Sequence, residues 1–434
     1  MKQFIIHAAI CILLVTLYSC HQQPVTNPKD YAAYLTISTN QQLQRIDTEM
    51  DFWKKRLAHA PGDMVAESKI ASLLTRRFAY SGSMTEIHTA DSLLQQVNKL
   101  NRTSSSGTFR SLAANCITQH RFLQAQQYID TALALGDNKY VTVLMEFDVA
   151  MELGNRYRAR KALNSLADKN SFEYLIRAAK YKDHAEGNLS EAIVLMEKAL
   201  ATIKDNPSPA LYLWTESNLG DLYGHANRYA ASYQCYLNVL QKDPSYYHAL
   251  KGIAWLAFSH DKDVANARKI VAYLQQRHPV SDYELLLLQM SDWEHNTAAK
   301  QEHTGKFMAL THNPLYGGMY NKYLFTLEAN ELNDAARSLQ IAQQEVHNRP
   351  TPEAFSWLAW AQCKNGNVQE ALRTARLYVA NKCFEPDALY YLGMIYKTAG
   401  YKTAARTCLQ TARNSSFELG PMMSNHINDA LKTL

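Results

Sequence analysis

Residues 213–246 read LWTESNLGDLYGHANRYAASYQCYLNVLQKDPSY, and this stretch decides the fold. Leu219, Gly220 and Tyr223 belong to a first helical segment; Tyr229, Ser232, Tyr236, Val239 and Leu240 belong to a second. Spacings of three and four put side chains on one side of a helix with 3.6 residues per turn. Ala226-Asn227-Arg228 makes the turn between them, and Asp243-Pro244 closes the unit. A single helical hairpin of this size cannot bury its apolar face, so it needs neighbours of the same kind.

Working outward, the same pattern recurs. Ala125, Ala159 and Ala192 take the small position of the second helix, followed by Ser232 and Ala267. Small residues are required there because neighbouring helices approach closely. The longer interval before Ser232 falls at Asp205-Asn206-Pro207-Ser208-Pro209, with Ser208 as N-cap and Pro209 at the first helical position. Ala335, Leu339 and Ala342 mark a later copy. Two clear copies end the array. Phe355, Leu358, Ala359, Gly366, Ala371 and Ala375 form one, and Leu389, Leu392, Gly393, Tyr396, Gly400, Ala405, Leu409 and Ala412 the other.

These Leu-Gly, aromatic, Ala and Pro positions resemble the tetratricopeptide repeat, a helix–turn–helix unit with a period of about 34 residues. The resemblance spans Asp63 to Phe417. It implies an all-α fold, a tetratricopeptide-repeat superhelix (α-solenoid) of about ten helix pairs, right-handed and with a concave groove. The array proper is assigned to residues 63–419, irregular at 75–90, where SGSMTEIHT lengthens a turn, and at 281–315, where no clean small residue follows the apolar run Leu285 to Leu288. Residues 31–62 form a helical segment before it, with Leu43, Ile46, Met50, Trp53 and Leu57 in one stripe. Residues 420–434 form a capping helix carrying Met422, Met423, Ile427, Ala430 and Leu431.

Composition agrees. The chain has 434 residues, 47% of them hydrophobic, with 16 Gly and 12 Pro that fall mainly between helical segments. No alternating apolar–polar runs bounded by hairpin signals stand out, so almost no strand is expected. The balance of 45 basic and 40 acidic residues is slight for this length. No Lys/Arg cluster of the kind that tracks phosphates stands out, so no nucleic-acid partner is expected. Five of the seven cysteines lie beyond Cys20, widely spaced and without a Cys-x2-Cys pair, and read as small buried apolar residues. A Cys363–Cys383 or Cys383–Cys408 bridge stays open.

Residues 1–20, MKQFIIHAAICILLVTLYSC, carry Lys2 and then an apolar core too short to span a bilayer comfortably. Residues 1–19 therefore read as a signal peptide. Leu17-Tyr18-Ser19-Cys20 resembles the lipobox of bacterial lipoproteins, although Tyr18 replaces the usual small residue. The resemblance implies lipidation of Cys20 and a membrane attachment through it. Residues 20–30, with HQQPVTNPKD after the cysteine, read as a flexible tether. No acidic cluster follows Cys20, such as surface-exposed lipoproteins of the Bacteroidetes carry. That favours a cell-envelope, outer-membrane anchor with the body facing the periplasm.

Catalytic signatures are missing: there is no HExxH, no G-x-S-x-G, no phosphate-cradling Gly-rich loop and no Cys/His metal spacing. His295, His303 and His312 are too far apart for a helical ligand pair. Neither a cofactor nor a metal is expected. The resemblance instead implies binding of other proteins or peptides by first-helix residues in the groove. Tyr174, Tyr181, Trp214, Trp255, Phe258, Trp360 and Tyr390 are the candidate groove residues, large rigid rings suited to anchoring a segment. The alternative for the same rings is packing between helices. Asn218 and Lys251 match two positions of the chaperone-binding carboxylate clamp, but Asp221 and Trp255 do not fit the rest. The function expected is a non-enzymatic scaffold for protein–protein interaction. A second reading is a glycan- or nutrient-binding lipoprotein partnering an outer-membrane transporter.

Overall fold

The computed structural model describes residues 23–204 and 208–434. The leader with Cys20, and residues 205–207 of the long connection, lie outside the described residues. Helix α1 (Gln41–His59) precedes ten pairs, each a unit. Units 1 to 3 are α2/α3 (Met64–Ser81, Met84–Leu100), α4/α5 (Ser106–Thr118, Phe122–Leu135) and α6/α7 (Lys139–Glu152, Arg156–Ser165). Units 4 to 6 are α8/α9 (Phe172–Lys180, Leu189–Thr202), α10/α11 (Pro209–His225, Tyr229–Lys242) and α12/α13 (Tyr247–Trp255, Val264–Arg277). Units 7 and 8 are α14/α15 (Asp282–Trp293, Thr297–Thr311) and α16/α17 (Asn321–Thr326, Ala335–Asn348). Units 9 and 10 are α18/α19 (Pro352–Lys364, Val368–Thr374) and α20/α21 (Pro386–Thr398, Lys402–Asn414), and α22 (Ser416–Lys432) ends the chain. Helices α8, α12, α16 and α19 each run on into a π turn. Among the described residues there is no strand.

Two local features repeat in register and make the pairs alike. Each turn from first to second helix carries one residue with left-handed backbone: Gly82, His120, Gly154, Gly187, Asn227, Lys262, His295, Asn333, Gly366 and Gly400 in order. That conformation ends a helix with its last carbonyls satisfied, and glycine adopts it without the Cβ penalty. The fourth residue of the second helix is then small and fully buried: Ala125, Ala159, Ala192, Ser232, Ala267, Ser338, Ala371 and Ala405 each show 0% exposure. Ser338, and not Ala335, holds this position in unit 8, because α17 begins at Ala335 and its fourth residue faces the partner helix. Units 1 and 7 depart from the rule: the fourth residue of α3 is Ile87, buried but larger, and unit 7 departs further. Its fourth residue is Lys300, which leaves the interface to pair with Asp292 and Glu331 at 3.0 and 2.6 Å.

The expected insertion in unit 1 is no insertion. Helix α2 continues to Ser81 and α3 resumes at Met84, because Met84, Ile87, Ala90 and Leu94 already form its buried stripe. All five cysteines among the described residues are free, four of them buried and Cys408 half-buried. No described helix is long and apolar enough to cross a membrane.

The described part of the expected tether is docked, not loose. The backbone N–H groups of Val25 and Thr26 and the Thr26 hydroxyl all donate to the Asp261 carboxylate, at 2.8, 2.9 and 2.6 Å. Tyr233 and Asn27 exchange hydrogen bonds, Tyr31 is 2% exposed, and Tyr273 and Arg277 donate to the carbonyls of Ile37 and Ser38. Polar composition suggested a free segment, but its backbone finds fixed acceptors and donors in units 5 and 6.

That docking belongs to a wider pattern. The side chain of His88, in unit 1, meets the carbonyl of Leu315, just after unit 7, at 2.9 Å. Asn348 of unit 8 donates to the carbonyl of His120 in unit 2, at 2.9 Å. Gly154 of unit 3 lies against Thr351 at the start of unit 9, and His184 of unit 4 bonds Glu385 before unit 10 at 3.0 Å. Contacts thus recur at an offset of six units, and successive superhelical turns touch.

The left-handed turns give a test of this geometry. A Cβ on Gly366 would meet nothing within 4 Å, so its replacement has only a conformational cost. His295→Gly is expected to stabilise the protein and Gly366→Ala to destabilise it, each by about 1 kcal/mol. Urea unfolding followed by far-UV circular dichroism measures both.

Candidate functional site

The inner side of the superhelix carries charge where rings were expected. Acidic and basic residues of successive first helices pair at separations of 27 to 31 residues, close to one unit. Arg177 bonds Asp148 at 2.6 Å, Lys180 bonds Glu152 at 2.7 Å, and His248 meets Asp221 at 2.8 Å. Lys251 reaches Asp282 at 2.8 Å, and Lys322 reaches Glu353 at 2.8 Å and Asp387 at 3.1 Å. Arg349 joins Glu345 and Glu353. The result is a ladder of ion pairs running from unit to unit.

Four adjoining cavities follow this ladder. The first, about 260 Å³, lies between Tyr80, Tyr247 and His278. It shares His248, Lys251 and Asp282 with the second, about 360 Å³, which Trp255 and Phe417 also line. The second shares Tyr323 with a third of about 360 Å³, formed between units 3 and 4 on one side and 8 and 9 on the other. Arg156 and Ala185 connect that one to a fourth, about 600 Å³, beside α7. Together they trace an inner channel.

Its electrostatics are uneven. Burial works to raise the Glu353 carboxyl, but Lys322 and Arg349 hold it well below the usual carboxylate range. Asp387, beside the same lysine, is pushed up by burial and by the neighbouring Glu353 and Glu385. Burial also raises Asp183 and Glu418. His184 is raised by its hydrogen bond to Glu385, and His278 is lowered to about 4 by burial. Burial is the first cause of the rise at Asp387, Asp183 and Glu418, and lysine and arginine face the carboxylates along the third cavity.

Of the seven candidate rings, four are buried: Tyr181 at 5%, Phe258 at 0%, Trp360 at 7% and Tyr390 at 8% exposure. Trp360 stacks on Tyr391 of the next unit at 5.7 Å and donates from Nε1 to Asn330 at 2.8 Å. The flank on which it sits meets the next first helix, so the ring fills a seam. Tyr174 is half-buried under the Lys169 ammonium, 4.7 Å from the ring centre, and Trp214 is exposed. Trp255 lines the second cavity, with Phe258 at 5.8 Å. The histidines of unit 7 do not converge: His303 bonds Glu284, His312 bonds the carbonyl of Met308, and His295 occupies its turn.

Trp255 does hold a peptide segment, the protein's own. Its Nε1 and the Ser259 hydroxyl donate to the backbone carbonyl of Phe417, at 3.1 and 2.9 Å. The Phe417 ring lies 4.9 Å from Tyr229 and 6.3 Å from Trp255, and fits only because residue 224 is glycine: a Cβ there would come within 2.7 Å. Gly420, with φ of 81°, breaks α22 just beyond. The charge ladder and this self-occupied groove were both missed in the sequence. Opposite charges one unit apart in first helices were the available signal for the ladder.

The chain is thus an all-α solenoid of tetratricopeptide type. No family model matches it, and no curated protein matches it. Among solved structures, PilW, a type IV pilus biogenesis factor, is 18% identical with a TM-score of 0.39, over 48% of this chain and 94% of PilW. Yeast Tom70 is 11% identical with a TM-score of 0.38, over 93% and 91%. A tetratricopeptide repeat protein from Parabacteroides merdae ATCC 43184 is 15% identical with a TM-score of 0.33, over 60% and 97%. Similarity at this level bears on no residue of the channel.

Two outcomes are expected. The Glu345 side chain is 1% exposed, so Arg349→Met leaves a buried carboxylate without its cation and costs about 3 kcal/mol; chemical denaturation measures it, and adding Glu345→Gln recovers part. The His184–Glu385 contact is at full strength below pH 6.5 and weakens as pH rises through the raised folded value. Glu385→Gln therefore lowers the His184 titration midpoint seen by proton NMR.

Proposed function

We propose that this protein is a lipid-anchored scaffold of the bacterial cell envelope that grips segments of other proteins in its inner channel and performs no chemistry. Cys20 is the lipidation site in this reading, with the body facing the periplasm from the outer membrane. A lipid anchor of two or three chains contributes about 0.8 kcal/mol per buried CH₂, which suits long residence on a membrane. The observation that carries the binding half is Phe417, whose ring and carbonyl are held by Gly224, Tyr229, Trp255 and Ser259 as a bound peptide residue would be. The channel continues beyond that residue and presents Tyr323, 41% exposed, between two of its cavities. The glycan reading loses support from the placement of Trp360, whose face a sugar would need and which Tyr391 covers.

Crosslinked pull-downs from intact envelopes test the channel. Tyr323→Ala is expected to remove partners while leaving the circular dichroism unchanged, and an identical partner list would end this reading. Cys20→Ala is expected to release the protein from membranes and abolish palmitate labelling; unaltered fractionation would exclude the anchor.

A further inference from the structure

The fourth cavity has a character of its own. Helix α7 begins Arg156-Tyr157-Arg158-Ala159-Arg160-Lys161, four cations in six residues, a cluster that the reading of the sequence passed over. The structure sorts them onto two sides. Arg158 is held by Asp130 and Glu146 and serves the packing of units 2 and 3. The other three line the cavity of about 600 Å³, and none has a carboxylate within salt-bridge distance. Arg156 donates to the carbonyl of Lys382 across the superhelical turn. Arg160 donates from Nε to the Tyr181 hydroxyl at 3.2 Å. Lys161 has no partner.

The sole carboxylate on the cavity wall, Glu186, is already paired with Lys182 at 2.9 Å. Like charges four apart on a helix destabilise it, and the carboxylate that acts on Arg160, Glu186, is shared with Lys182. Beside them stands Tyr157, 80% exposed, an amphipathic ring at the rim of the cavity. Paired guanidinium groups with an aromatic neighbour suit carboxylate or phosphate groups on a body that offers some apolar surface.

We propose that this basic mouth binds an acidic segment of the partner protein, a run of aspartate or glutamate residues, at one end of the channel. The inference rests on the channel being the place where partners bind, and it supplies their chemistry. Two features favour an acidic polypeptide over other anions. The hollow adjoins the channel at Arg156 and Ala185, which line both, so a segment lying in one continues into the other. Three cations around one hollow do not form the extended stripe that follows a nucleic-acid backbone.

Fluorescence anisotropy on the full chain tests this with a labelled peptide of eight glutamates, and with a lysine peptide and phosphatidylglycerol vesicles as comparison probes. The glutamate peptide is expected to bind with an affinity that falls as salt rises. Arg160→Gln/Lys161→Gln is expected to weaken it at least tenfold, and Lys402→Gln, remote and exposed, to leave it unchanged. Lys161→Gln alone removes no hydrogen bond or ion pair and sits at an exposed position, so a loss of threefold or more in that variant reads the site without a folding effect. No binding of the glutamate peptide, equal affinity for the double variant, or binding confined to the vesicles would overturn the proposal. If envelope pull-downs lose partners with Tyr323→Ala but not with Arg160→Gln/Lys161→Gln, the channel stands and the basic mouth falls; if they lose none with either, both fall.

Discussion

Everything in this structure depends on how closely the two helices of a unit approach. Eight second helices present a fully buried alanine or serine at their fourth residue, and ten turns carry one left-handed residue. A small side chain and a fixed turn leave little freedom in the angle between paired helices. When that angle repeats from unit to unit, small rotations add to a definite curvature. Here the curvature brings unit 2 against unit 8 and unit 4 against unit 10. The inner channel exists because the superhelix closes on itself this tightly.

The closure also explains the charges. First helices that converge on a shared axis would bring apolar faces together if their inner positions were leucine, and the channel would fill. Charged residues keep it hydrated, and pairing them between successive units removes most of the cost of crowding them. Lys322, between Glu353 and Asp387, shows where pairing is incomplete, since one lysine faces two carboxylates. The cations at α7, which have no carboxylate at salt-bridge distance, set that end of the channel apart from its ion-paired middle and make it electrically asymmetric. Asymmetry of this kind discriminates between segments more than it adds to affinity.

Much of this was legible in the sequence because it repeats. Gly366, Gly400, Ala371 and Ala405 announce their roles by spacing, and the pair of helices around Gly220 and Ser232 lies where the pattern put it. Long-range closure was not legible. The residues that join superhelical turns, such as Asn348 on His120, lie 228 apart and obey no local period. The aromatic positions stayed open for a related reason: the ninth residue of a first helix sits between the concave ridge and the seam, and for Trp360 the packed neighbour Tyr391 decides which it serves. The docked segment at Val25 and Thr26 is polar and Pro-flanked, and its partners, Asp261 and Tyr233, lie more than 200 residues away.

That docked segment changes how the molecule comes apart. An open array of helical pairs melts as a row of dominoes, fraying from whichever end is looser. With Val25 and Thr26 clasped to Asp261, and Phe417 clasped to Trp255, the segments flanking the described array on both sides are fastened to its interior. Each unit then has neighbours along the chain and across the superhelical turn, as bricks have within and between courses. Loss of one end cannot proceed without opening the middle, so the protein behaves less like a zipper and more like a wall that stands or falls whole.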